Sequence, residues 1–312
     1  MRLEEYKSSG SVPPSAIAVG LIVGLVAAVV LGSLYAVLIH FNPLIYFSAI
    51  ASAIFGGLMG IVVRAAMRAN KGRNALAMIV VTFIATAAAY AISWLVWTGL
   101  IIRGAEQFTW GDYINAMISE PAELLGLIAL FQEHGTWTLG RNSNETVSGT
   151  FLTLIWAAEA LIIFGVAMIC ASSNDGVFCE ECENWCDEPL IISAFAGAGG
   201  SARIESRLRA GDFSFLEEAE PLSDDTLAFH SLNLSECAHC HRTNSVALHL
   251  HTFVTNKKGE VDQVNKELTP PLLLRGGQLE ALMSRAEAFA ERVRIADEAG
   301  AGEEAFVDIA AG

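Results

Sequence analysis

The chain has 312 residues, of which 53% are hydrophobic and only 17% are charged, which excludes an ordinary soluble protein. Its 34 acidic and 19 basic residues give a net charge of −15. Most of this excess lies in the last part of the chain, and an acidic surface repels phosphate backbones, so nucleic acid is excluded as a partner. The composition predicts a membrane protein with an acidic, soluble appendage.

Apolar residues are concentrated in four stretches, each at least as long as the roughly 20 residues a helix needs to cross a bilayer. We predict membrane-spanning helices at about 15–40, 43–63, 75–102 and 149–171. No carboxylate occurs between Glu5 and Glu106, and the stretches lack a polar face with helical period. The predicted fold class is an α-helical membrane protein, with an N-terminal segment at 1–14 and a transmembrane domain at 15–171.

Small residues recur at four-residue spacing on the first two spans. They are Gly20, Gly24, Ala28 and Gly32 on the first span, and Ser52, Gly56 and Gly60 on the second. Helices in lipid associate through close backbone packing, which small residues allow. The pattern predicts packing inside one chain, and a homo-oligomer interface is the alternative.

The orientation of the spans follows from the basic residues in the short loops. The segment 64–73 carries four basic residues and no acidic one, which predicts a cytoplasmic position. Both termini are then cytoplasmic, and the chain is predicted to be a multi-pass protein of the cell (inner) membrane. Loop 103–148 falls outside, and its apolar stretch 122–131 is too short to span, so it predicts an interfacial or re-entrant helix.

Glu159 is an acidic residue near the middle of the fourth predicted span. A carboxylate at that depth is expensive, so it usually faces protein or water and often serves function. One hypothesis is a proton or ion relay. The other is a carboxyl group that holds helices together through hydrogen bonds, for example with Tyr90 or Ser93 of the third span.

The tail at 172–296 contains two Cys-x-x-Cys pairs separated by 54 residues. Two residues between the thiols let one tight turn offer both to the same metal ion. The ligands of a tetrahedral Zn²⁺ site are therefore predicted to be Cys179, Cys182, Cys237 and Cys240. Cytoplasmic thiols stay reduced, which agrees with metal binding and argues against disulfides.

The two cysteine pairs and the segment after them resemble a zinc ribbon. Residues 246–254 alternate like a strand, 256–259 have the composition of a turn, and 261–268 could form the return strand. The resemblance implies a small α+β domain around a structural zinc ion. The sequence departs from the usual knuckle, which has Gly soon after the second Cys, because Glu183 and His241 stand there.

Other ligands and other chemistries are compatible with parts of this pattern. Cys186 or His241 could replace one of the four thiolates, and His230 and His239 are weaker substitutes. Cys237–His241 also matches the c-type haem attachment pattern, but that attachment occurs outside the cytoplasm. A redox dithiol would need a βαβ context, which the sequence does not indicate.

The remainder of the tail predicts two helical segments and a flexible end. Residues 202–220 are predicted to be helical with a break near Gly211. Residues 277–295 place apolar side chains on one helical face, which predicts a helix that covers the sheet. Residues 297–312 are rich in Ala, Gly and acidic side chains, which predicts disorder.

These features predict an integral membrane protein that presents a cytoplasmic, structural zinc-binding module as a scaffold, adaptor or subunit of a membrane complex. Its partners would be the lipid bilayer and another protein, bound through the cytoplasmic domain. One alternative is a small transporter or channel-like protein that uses Glu159 and has a regulatory tail. Another is a membrane-bound redox sensor or enzyme that uses the cysteine pairs. No nucleophile–base motif is evident, so no catalytic residue is assigned.

Overall fold

The structure, a computed structural model, describes residues 2–42, 45–103, 108–135, 147–172, 176–223, 226–255, 257 and 260–310. The chain forms two compact units. One is Ser9–Asn174, and the other combines Met1–Ser8 with Asp175–Gly312. The first eight residues therefore belong to the same unit as the tail, whereas they were predicted to be part of a separate N-terminal segment, 1–14.

The unit Ser9–Asn174 is helical in its described residues. Its helices are α1 (Pro14–Phe41), α2 (Ile45–Ala69), α3 (Ala75–Arg103), α4 (Trp110–Ser119), α5 (Pro121–His134) and α6 (Gly149–Ser172). Among the described residues, four single helices are long and apolar enough to cross a membrane. They are α1, most of α2, α3 and α6. Pro43, where the second span was predicted to begin, lies outside the described residues.

The small residues of α1 and α2 pack against helices of the same chain. A Cβ atom on Gly32 would lie 2.6 Å from the carbonyl oxygen of Ala89 in α3. Gly56 and Gly60 approach the backbone carbonyls of Ile163 and Ala167 in α6 in the same way. Side chains larger than hydrogen would separate these helices, so the predicted packing inside one chain is confirmed.

Helices α4 and α5 meet at a bend of 103°. Pro121 opens α5 at a position where no backbone N–H is needed, which explains why the second helix begins there. The helix predicted at 122–131 is therefore confirmed. Part of its apolar surface is exposed, since Leu125 is 66% accessible.

The second unit is built on an antiparallel sheet whose strands differ in length. Its strands are β1 (Glu4–Glu5), β4 (Leu190–Gly197), β5 (Ala219–Glu220), β6 (Ala228–Glu236), β7 (Asn244–Thr255), β8 (Val261–Glu267) and β9 (Leu272–Leu274). In the described part of the chain they are ordered β1-β9-β7-β6-β4-β5, and β8 pairs with β7. A separate hairpin is formed by β2 (Phe178–Cys179) and β3 (Asn184–Trp185).

The strands β7 and β8 confirm the hairpin predicted after the second cysteine pair. Their register joins His249 to Glu267 and Thr255 to Val261. Most of the predicted turn, 256–259, lies outside the described residues. The sheet nevertheless contains more strands than the hairpin alone, because β4, β5 and β6 occupy the interval between the cysteine pairs.

One face of the sheet is covered by helices. Phe195 and Leu232 of the sheet share a buried cluster with Ile204 of α7 (Ser201–Ala210) and Phe289 of α8 (Gln278–Ala310). Helix α7 ends at Gly211, whose φ of 73° is the left-handed conformation typical of a helix C-terminus. The predicted helix, its break and the covering role of α8 are thus observed.

Helix α8 continues to Ala310, through most of the segment predicted to be disordered. The Ala and Glu residues that suggested disorder by composition are also strong helix formers, so the helix has a local physical basis.

The N-terminus forms the edge strand of the same sheet. Glu4 pairs with Leu273 and Glu5 with Leu272, in antiparallel register with β9. Leu3 is only 5% exposed and belongs to the apolar cluster under α8. The two ends of the chain therefore fold into one unit.

Candidate metal centre and cavity of the helical unit

The four cysteines predicted as ligands come together in the structure. The Sγ atoms of Cys179, Cys182, Cys237 and Cys240 all lie within 4.8 Å of one another. The Sγ atoms of Cys179 and Cys240, from different pairs, are 3.6 Å apart. Among the described residues, these four form the one group of His, Cys, Asp or Glu side chains that lie close enough together to hold a metal ion.

The dimensions of the cluster fit a tetrahedral metal ion. Thiolates that bind Zn²⁺ at about 2.3 Å would be separated by about 3.8 Å at the corners of a tetrahedron. The observed separation of 3.6 Å between Cys179 and Cys240 is close to this value. Four soft sulfur ligands also select Zn²⁺ over hard cations such as Mg²⁺ and Ca²⁺.

The first knuckle is the β2–β3 hairpin. Cys179 ends β2 and pairs in register with Asn184, so the intervening turn carries Cys182 back toward Cys179. The turn closes at Glu183, whose φ of 48° is left-handed. Glu183 therefore adopts the backbone conformation that Gly provides in the usual knuckle, although its Cβ makes that conformation less favourable.

The second knuckle joins β6 to β7 in the same way. The backbone N–H of Cys237 donates to the carbonyl oxygen of Thr243, and that of His241 donates to the carbonyl of Cys237, each at 3.0 Å. His241 has a φ of 53°, again the left-handed conformation. Both knuckles therefore form tight turns without the usual Gly, because Glu183 and His241 adopt the left-handed conformation in its place.

Polar groups around the cluster stabilise negatively charged sulfur. The backbone N–H of Arg242 hydrogen-bonds Cys240 and lowers the pKa of this thiol to about 6. The hydrogen bond with Cys240 raises the pKa of Cys182, because the two sulfurs share a proton. A metal ion would displace that proton, since thiols bind metals as thiolates.

Side chains outside the cluster connect its two halves. Thr243, in the second knuckle, donates from Oγ1 to the sulfur of Cys179 at 3.2 Å. Arg242 forms an ion pair with Glu181 of the first knuckle, at 2.6 Å. The Tyr6 hydroxyl accepts a hydrogen bond from the backbone N–H of Phe178 at 3.1 Å, which ties the N-terminal segment to the first knuckle.

The structure places the proposed substitute ligands outside the four-cysteine cluster. The thiol of Cys186 faces the carbonyl oxygen of Thr243 at 3.8 Å. The Nδ1 atom of His241 bonds Glu236 at 2.7 Å, and His230 bonds the Ser201 hydroxyl at 2.9 Å. His239 is exposed.

The shared cluster also bears on the haem and redox hypotheses. Haem attachment would use Cys237 and Cys240 alone, whereas both thiols lie among those of the first pair. All four cysteines are free thiols, as metal ligands must be.

Glu159 lies on the wall of a cavity in the helical unit. The cavity has a volume of about 730 Å³. The hydroxyl of Ser48 in α2 hydrogen-bonds the Glu159 side chain. Tyr90 and Ser93 were the predicted partners of Glu159, but the Ser93 hydroxyl donates to the backbone carbonyl of Tyr90 at 2.7 Å. Both residues nevertheless line the same cavity as Glu159.

Aromatic rings form much of the remaining cavity wall. They belong to Tyr35, Tyr90, Trp94, Trp97, Phe131 and Trp156. On α3 they recur at four- and three-residue spacing (Tyr90, Trp94 and Trp97), which places them on one helical face, and α6 contributes Trp156. Composition alone did not reveal this cluster, although the spacing of Tyr90, Trp94 and Trp97 was a usable signal.

Comparison of the chain with protein-family models, with curated protein sequences and with solved structures found no match.

Proposed function

We propose that the chain is a multi-pass membrane protein whose two ends build one metal-organised domain on the cytoplasmic face, where it serves as a scaffold, adaptor or subunit of a membrane complex. The observation that carries the proposal is the convergence of four sulfur atoms from distant parts of the chain within 4.8 Å. The metal would be a structural Zn²⁺ ion.

The ligand set supports a structural role. Four thiolates complete the tetrahedral shell of zinc and leave no open position for water or substrate, whereas catalytic zinc sites keep one position open. The cluster lies between the β2–β3 hairpin and the β6–β7 connection, so a bound ion would cross-link these two segments in addition to the hydrogen bond of Thr243 with Cys179 and the ion pair of Arg242 with Glu181.

The pairing of β1 with β9 supports an even number of membrane crossings. Residues of one sheet must lie on the same side of a membrane, because a sheet cannot pass through it. Helices α1, α2, α3 and α6 supply four crossings, while counting the bent pair α4–α5 as a fifth would separate Glu4 from Leu273. The basic segment 64–73 then favours the cytoplasm for both chain ends.

Copurification of the full-length protein from its native membrane, followed by mass spectrometry, tests the proposed role. The wild type and Cys170→Ser, a change outside the metal cluster, should retain the same partner proteins. Cys237→Ser should insert into the membrane normally but lose those partners. If Cys237→Ser kept them, the metal-organised domain would not be the partner-binding module.

A second candidate function is a small transporter or channel-like protein that uses Glu159. The observation in its favour is that Glu159 faces a cavity. Proton or ion flux into vesicles that contain the purified protein tests it. Flux that is equal in wild type and Glu159→Gln, or absent in wild type, would eliminate this candidate.

A further inference from the structure

The cavity beside Glu159 has the size and composition of a ligand site. Its volume of about 730 Å³ falls in the range of about 300–1,000 Å³ that is typical of small-molecule pockets. Its described lining residues come from the halves of α1, α2, α3 and α6 that lie away from the loop at 70–74, together with the end of α5. With the orientation proposed above, the cavity lies in the outer half of the membrane.

The charge of the cavity favours a positively charged ligand. The described residues that line the cavity include one acidic residue, Glu159, and no Lys or Arg. The described wall also contains His40 and His134 at the end where α1 and α5 terminate. A carboxylate in a largely apolar site attracts a cation strongly, because little water screens the charge.

The aromatic rings supply a second attraction for cations. The Trp94 and Trp156 rings are 4.8 Å apart at 87°, and those of Trp94 and Trp97 are 5.4 Å apart at 87°. The ring centroids of Trp97 and Trp156 are 6.2 Å apart, and their planes meet at 80°. Three rings that are nearly perpendicular to one another form a corner, and the face of each aromatic ring carries negative charge that attracts cations.

We propose that this cavity binds a lipophilic organic cation, with its ammonium or phosphonium centre between Glu159 and the tryptophan corner. An inorganic cation would need several oxygen ligands to replace its water, whereas most of the described lining residues are aliphatic or aromatic and Glu159 supplies the one carboxylate among them. The apolar part of an organic cation would instead contact the rings. Both a free amine and the choline headgroup of a lipid have this chemistry.

Two probes of the same shape and opposite charge test the proposal on the full-length protein in detergent. Tetraphenylphosphonium should quench tryptophan fluorescence with saturable binding, and tetraphenylborate should not. Glu159→Gln should weaken phosphonium binding by about tenfold or more, because the carboxylate charge is lost. Trp156→Leu should weaken it by about threefold to thirtyfold through the loss of one ring face.

Matched variants control for changes outside the cavity. Glu123→Gln removes an exposed carboxylate of α5, and Trp110→Leu removes an indole ring that does not line the cavity, so both should keep wild-type affinity. Equal affinity of wild type and Glu159→Gln would overturn the proposal, as would equal binding of the two probes. If Glu159→Gln fails to fold, Trp156→Leu and the two-probe comparison still decide the question.

Nanodiscs distinguish the two sources of the cation. If choline headgroups occupy the site, phosphatidylcholine nanodiscs should weaken phosphonium binding relative to phosphatidylglycerol nanodiscs, and Glu159→Gln should reduce that difference. If the affinity ratio between wild type and Glu159→Gln is the same in both lipids, choline headgroups do not occupy the site, and a free amine is the remaining source of the cation.

Discussion

The sulfur atoms of Cys179 and Cys240 lie 3.6 Å apart although the residues are separated by 61 positions in the chain. Between them the chain forms β3, β4, α7, β5 and β6, so the contact closes a loop that contains much of the unit. The residues around the four-cysteine cluster can be tested one at a time.

Glu183→Gly should stabilise the metal-containing unit by about 0.5–1 kcal/mol, because Gly adopts the left-handed conformation without the penalty of a Cβ atom. The measurement is the change in unfolding temperature, with zinc content recorded in parallel. Glu188→Gly is the matched control, since that exposed position does not have a positive φ. It should leave stability unchanged or lower it, and a gain there equal to that of Glu183→Gly would contradict the explanation.

Thr243→Val should weaken zinc binding by about tenfold to a hundredfold, which is typical when a group that supports a metal ligand is removed. The hydroxyl of Thr243 donates to Cys179 at 3.2 Å, and Val preserves the shape of the side chain without the donor. Competition with a chromogenic chelator measures the affinity. Thr255→Val, at the exposed end of β7, should have no effect; equal affinities for all three proteins would assign Thr243 no role.

Leu3→Ala should destabilise the sheet unit by about 2–4 kcal/mol, in the range for removal of a buried leucine side chain. Leu3 is 5% exposed and packs into the cluster formed by the tail. Limited proteolysis of the tail on a temperature ramp gives the readout. Lys7→Ala, at an exposed position, is the control. Identical proteolysis of Leu3→Ala and wild type would show that the N-terminal strand does not support the unit.

Epitope tags at the N-terminus and the C-terminus should become accessible to antibody only after the membrane is permeabilised. The pairing of β1 with β9 requires both ends to lie on one side, and the basic segment 64–73 favours the cytoplasm for that side. A tag inserted after Gly135, beyond α5, should be accessible on intact cells. The measurement is antibody binding to intact and permeabilised cells. Tags at the two termini that respond differently would show an odd number of crossings.

Local patterns predicted the parts of the fold that depend on neighbours in sequence. The apolar spans, the break at Gly211 and the β7–β8 hairpin follow from hydropathy, from Gly and from alternation. The grouping of the four cysteines also followed from their spacing, since each pair specifies a turn.

Contacts between distant segments could not be predicted in this way. The two-residue strand at Glu4 and Glu5 is too short to show alternation, so its pairing with β9 had no local signal. The hydrogen bond between Glu159 and Ser48 depends on the packing of α2 against α6, which hydropathy does not determine. The left-handed conformations of Glu183 and His241 are required by the knuckles and run against the preference of those residues.

Metal analysis of the purified, full-length protein tests the central claim most directly. Wild type and Cys170→Ser should contain one zinc ion per chain, and Cys240→Ser should contain little or none, with a tail that becomes sensitive to protease. Wild-type protein without stoichiometric metal, or a Cys240→Ser tail as protease-resistant as that of wild type, would contradict the account.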